Sequence, residues 1–111
     1  MSTIVDTEKI DLISSDENKR LVTFFMMEPR DWDSDPDMYS QLQSKLNNYL
    51  TYIEDGQMLE DRPEFEGMKI VIHIDCTSNP MESAQASKIF RKIESILSER
   101  GLYFSFSIID L

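Results

Sequence analysis

The apolar positions of this chain follow two rhythms. From Met68 to Cys76 (MKIVIHIDC) they alternate, with Met68, Ile70, Ile72, Ile74 and Cys76 on one side and Lys69, Val71, His73 and Asp75 on the other. A period of two, with one dry side and one wetter side, predicts a strand that buries a single face. Tyr103–Ile109 repeats the pattern, Phe104, Phe106 and Ile108 alternating against Tyr103, Ser105 and Ser107. Ile10-Asp11-Leu12-Ile13 opens an earlier, shorter strand, and LVTFFMM from Leu21 to Met27 makes another, closed by Pro29. Between them Ser14–Lys19 is rich in Ser, Asp and Asn, the chemistry of a turn, so the first two strands pair as an antiparallel hairpin.

The second rhythm is helical. Met38, Leu42, Leu46, Tyr49, Leu50 and Ile53 recur three or four residues apart and form one apolar stripe. Asp35 reads as the cap and Pro36 as the first helical residue, where a missing N–H costs nothing. Gly56 offers a left-handed stop. Ala86, Ile89, Phe90, Ile93, Ile96 and Leu97 form a second stripe; Asn79, Pro80 and Glu82 read as its cap, first and third positions, and Arg100-Gly101 as its end. Gln57–Gly67, holding Pro63, reads as a polar connection.

The order is therefore ββαβαβ. Helices between strands imply parallel crossovers, which are right-handed in nearly all cases, so both helices fall on one side of the sheet. The predicted class is α/β of the α+β type: a four-stranded mixed sheet with two helices packed on one face and the other face open. Residues 10–111 make a single two-layer domain, and Met1–Lys9, polar and without period, a loose arm.

Charge adds to this picture. Asp and Glu number 21 against 11 Lys and Arg, a formal net charge of −10. Phosphate backbones and anionic lipid both need clustered cations, so nucleic acid and membrane are poor partners. A basic protein would be steered in quickly, although solubility alone is a competing account of the charge. Cys76 is the only cysteine, which excludes an intrachain disulfide. No leader pattern opens the chain, and no apolar run nears the roughly 20 residues that span a bilayer, so a cytoplasmic protein is expected.

Candidate chemistry is sparse. The one histidine, His73, shares a strand face with Asp75, but such a pair more often lies solvated on a surface than serves as a general base. Cys76 falls on the apolar side, where a thiol is inert. The glycines at 56, 67 and 101 are isolated and build no phosphate loop. Asp31, Asp33, Asp35 and Asp37 alternate as in a calcium loop, but the sixth and twelfth positions hold Pro36 and Leu42 instead of Gly and Glu. Acids ahead of a helix are stabilised by its dipole, which accounts for them without a metal. Glu54, Asp55, Glu60, Asp61, Glu64 and Glu66 are different, because Glu54 and Asp55 oppose the dipole at the end of the first helix. Either this segment is a solvated loop or it docks a basic partner, with Asp31, Trp32 and Asp33 a second candidate contact. Both sides of Leu21–Met27 are apolar, so the side away from the helices must be covered by the arm, by the Asp31-Trp32 segment or by a partner.

The run LQSKLNNYLTYIEDGQ from Leu42 to Gln57, with Pro63 and the Lys69–Ile74 strand, resembles a family of small bacterial domains of unknown function that share an LQxKLNxYLxYIExGQ-like helix. The resemblance covers about residues 10–111 and implies the ββαβαβ fold. Lys45, Asn47 and Tyr49 match the motif, and no role comes with them. It also implies an association with immunity and accessory genes of bacterial conflict systems. The expected function is thus a non-enzymatic interaction protein without metal or cofactor, an acidic immunity or antidote protein that occludes a bacterial toxin. The alternative is a homodimeric accessory domain pairing through its open sheet face.

Overall fold

The computed structural model describes Ile4 and residues 12–110. The hairpin consists of β1 (Leu12–Asp16) and β2 (Leu21–Glu28), antiparallel, with Leu12 opposite Phe25 and Asp16 opposite Leu21. Asp16 holds the turn by accepting the Lys19 N–H at 3.2 Å. β3 (Lys69–Cys76) lies parallel to β2, and β4 (Tyr103–Ile108) parallel to β3, so the sheet runs β1-β2-β3-β4 in chain order.

The two long helices, α1 (Met38–Glu54) and α3 (Ala84–Glu99), share one face. Phe24, Ile72 and Phe104 stand abreast on adjacent strands and so point to the same side. Tyr49 of α1 packs on Phe24 with ring centroids 5.8 Å apart, and Phe90 of α3 packs on Phe104 and Phe106, each at 5.4 Å. Val22, Phe24 and Met26 are fully buried beneath the helices beside Ile72 and Ile74. On the other face Leu12 and Tyr103 stay about half exposed, at 48% and 50%. Two-layer packing thus arises where parity and helical stripe meet, as the periodicities predict.

Four local features differ from the expectation. β1 runs on through Ser14, Ser15 and Asp16, which the pattern assigns to the turn, because they pair with Thr23, Val22 and Leu21 of β2. α1 begins at Met38: Asp35 accepts the N–H of Asp37 (2.9 Å) and caps a turn before the helix, and Asp37 is the N-cap. α3 begins at Ala84. Asn79 does cap, accepting the Met81 N–H at 2.9 Å, but it caps a single 3₁₀ turn over Pro80–Glu82. Ser83 then returns to extended backbone, which interrupts the helix, and caps α3 by accepting the Ala86 N–H at 3.1 Å. The connection after Gly56 is structured: a short helix, α2 (Gln57–Asp61), and a 3₁₀ turn (Pro63–Phe65) bury Met58 and Phe65. Of the two long helical stripes, Ile89 and Ile96 are only partly buried. Apart from Ile4, the loose arm expected over Met1–Lys9 lies outside the described residues, as do Ile10 and Asp11. Ile4 itself is fully buried and donates its N–H to the Met27 carbonyl at 3.1 Å.

Candidate functional site

The parallel strands β2 and β3 end side by side, with Glu28 opposite Cys76. Glu28 keeps the parity of Val22, Phe24 and Met26, so its carboxylate enters the core, fully buried. A buried charge needs a partner. Arg30, two residues on, wraps back: its Nε donates to Glu28 Oε1 at 2.9 Å, and its backbone N–H donates to Oε2 at 3.1 Å. The same guanidinium reaches Asp35 and Gln41, each at 3.0 Å, which fastens the 29–37 loop to α1. Glu28 and Asp35 hold the Arg30 guanidinium above its ordinary pKa, against the opposing effect of burial.

A second loop, residues 77–83, joins the first. Trp32 Nε1 donates to the Ser78 carbonyl at 2.9 Å, Thr77 donates to the Pro29 carbonyl at 2.8 Å, and Ser83 donates to Asp33 at 2.6 Å. Trp32 is therefore a buried clamp, stacked on Tyr39 and edge-on to Phe90. Asp33 adopts a left-handed φ of 70°, which Asp tolerates better than most residues. Hydrogen bonds from Ser83 and Tyr39 lower its pKa. In these two loops Asp31, Asp33, Asp35, Asp37 and Glu82 face one cation, Arg30, which is already occupied. Among the described residues, no group of three His, Cys, Asp or Glu converges as a metal site requires. Asp33 is engaged by Tyr39 and Ser83 and Asp35 by Arg30 instead.

The other acidic segment lies at the far end of α1, about 25 Å away by helical rise. Here the chain supplies its own cations. Arg100 pairs with Glu54, Arg62 pairs with Glu64 at 3.1 Å, and Arg20 donates to the Glu66 carbonyl at 3.0 Å. Asp55 accepts the Gln57 N–H at 2.9 Å, and Asp61 accepts the Tyr52 hydroxyl at 3.1 Å. Of the two acids that oppose the dipole of α1, Asp55 thus holds the first N–H of α2 and Glu54 is neutralised by Arg100, local reasons that period and charge alone do not reveal. Glu54, Asp55, Glu60, Asp61, Glu64 and Glu66 are all exposed.

On the open face the sheet register places Ser105 beside His73. Their side chains bond, Oγ to Nδ1 at 2.6 Å, and His73 Nε2 meets Asp75 Oδ1 at 3.0 Å. This is the order of a Ser-His-Asp relay. Ile109 donates its N–H to the Cys76 carbonyl, and by alternation the N–H of Ser105 also bonds β3 and cannot serve an oxyanion. Cys76 is buried, and that burial, reinforced by the Glu28 and Asp75 charges, pushes its thiol up to about 12. It stays protonated and unreactive at neutral pH.

Among these residues the sequence motif falls on α1. Lys45 and Tyr49 turn inward, Lys45 fully buried with its Nζ 5.9 Å from the Tyr49 ring centroid, and Asn47 is exposed. A family profile spanning residues 1–110 includes this helix and both loops. The chain belongs to DUF6572, a family of unknown function. No curated protein and no solved structure matches it. Membership thus fixes kinship without an activity. No helix among the described residues is long and apolar enough to cross a membrane.

Three residues of these clusters escape sequence reasoning: Glu28, Arg30 and Ser105. Parity assigns Glu28 to the core and Ser105 to the His73 face, and it is the signal that finds both. The hook made by Arg30 depends on the turn at Pro29.

Proposed function

We propose that this chain is a non-enzymatic, cytoplasmic interaction protein, an acidic immunity or antidote protein that binds a basic bacterial toxin and occludes it. One observation carries the reading. The 29–37 and 77–83 loops present five carboxylates with a single, already engaged cation, on a base clamped by Trp32, Thr77 and Ser83. Such a field attracts a basic surface and raises its association rate. The Glu54–Glu66 segment carries six acids, but Arg20, Arg62 and Arg100 offset them, so it is the weaker contact.

The test is the association rate with a partner captured from the source cells, measured at two salt concentrations. Replacing exposed Asp31, Asp37 and Glu82 by their amides should slow association about tenfold at low salt and flatten the salt dependence. The same change at Glu60, Asp61 and Glu66 should have a smaller effect. Unchanged rates at both salts for the first set would overturn the reading.

A further inference from the structure

β4 closes one side of the sheet, and its outer edge has no backbone partner among the described residues. The bond from the Ile109 N–H to the Cys76 carbonyl (2.7 Å) sets the alternation: odd residues bond β3, and Phe104, Phe106 and Ile108 turn N–H and C=O outward. A free row of this kind is a template for another strand, and proteins that must avoid pairing place Lys, Pro or a bulge on it. β4 carries none of these devices. Gly101–Ile109 is the longest run in the chain without a charged residue.

We propose that β4 pairs with β4 of a second copy, antiparallel about a two-fold axis at Phe106, which joins two four-stranded sheets into one. Charge selects this occupant. A net charge of −10 keeps copies apart over most of the surface, and repulsion is least along the charge-free strand. A basic partner is drawn to the acidic loops instead. The border is also self-complementary. Arg91 and Glu94 of α3, opposite charges one turn apart, line the hollow of about 620 Å³ beside β4, and neither has an ion-pair partner among the described residues. The two-fold sets the α3 helices antiparallel, so that the Arg91–Glu94 pairs of the two copies run in opposite senses along the joint. The open face is a poorer seat for a second copy, because the bonded row of Ser105, His73 and Asp75 crosses it.

In this register Phe106 lies opposite its own copy and Phe104 opposite Ile108, each pair exchanging two backbone bonds. Ser105 then lies opposite Ser107 in a pair without hydrogen bonds, the Cα atoms about 4.5 Å apart, close enough for a disulfide between engineered cysteines.

The mass in solution across a micromolar concentration series tests the proposal. A dimer is expected, and Ile108→Lys, at a half-exposed edge position, should raise its dissociation constant about tenfold or more without moving the unfolding midpoint measured at concentrations where both proteins are monomeric. On oxidation, the double variant Ser105→Cys/Ser107→Cys should cross-link into a covalent dimer, and neither single variant should. A monomer at every concentration, a dimer indifferent to Ile108→Lys, or equal cross-linking of the single variants would each overturn it.

Discussion

The guanidinium of Arg30 closes over the carboxylate of Glu28, a pair in which the acid is fully buried and the base keeps 22% of its side chain exposed. The backbone N–H of Arg30 bonds the same carboxylate, so a short hook after Pro29 anchors the start of the acidic loop to the end of β2.

Breaking this pair from one side strands a charge in the core. Arg30→Met should cost about 3–5 kcal/mol of stability, and the double variant Glu28→Met/Arg30→Met less than Arg30→Met alone. Urea denaturation of the four proteins completes the cycle. Additive losses would show that the two residues are not coupled.

Leu46, Leu50 and Ile93 are buried, and Ile89 is only partly so. Truncation of any of the first three to alanine should cost about 2–5 kcal/mol, and Ile89→Ala less. The same denaturation experiment ranks them, and a larger loss at Ile89 than at Leu46 would place the α3 stripe on the wrong face.

Stability should fall in alkali. Burial, with Glu28 and Asp75 adding to it, holds the Cys76 thiol at about 12; burial and then the Asp33 bond hold the Tyr39 phenol at about 12. Their ordinary values of 9.0 and 10.0 are lower, so the unfolded chain gives up these protons first. The stabilisation is complete below pH 9 and is lost as pH rises from about 9 to 12. Unfolding midpoints across that range should decline, and the decline should flatten in Tyr39→Phe. An unchanged slope in that variant would assign the effect elsewhere.

His73→Ala removes two side-chain bonds on the open face. It should cost about 1–2 kcal/mol and leave partner association unchanged. Lost association with the fold intact would move the binding surface to the open face of the sheet.

The element order and the helix layer were legible because β3, β4 and both long helices carry an unambiguous period, whereas the order of the strands across the sheet comes from the structure alone. Once helices stand between strands, handedness sets their layer. α2 was not legible, since Met58 is the one buried residue of a five-residue helix set among acids. The cap positions were misplaced for another reason. Asp35, Asp37, Asn79 and Ser83 can all accept an N–H, and composition does not choose among them. The acidic candidates lie at the two ends of α1, as helix length required, but their local compensation comes from Arg20 and Arg100, cations distant in sequence. Trp32, read as a contact residue, serves chiefly as the clamp between two loops.

Because the strands lie in chain order, no strand has to be inserted between two that are already paired. The sheet can grow by accretion: the hairpin closes locally, then each helix delivers the next strand to the growing side. Only the hairpin closes a short loop; each parallel pairing must wait for its whole helical crossover, which makes those the slower steps. A chain emerging from the ribosome presents its parts in that same sequence, so each newly made strand finds its docking edge complete, and β4 arrives last.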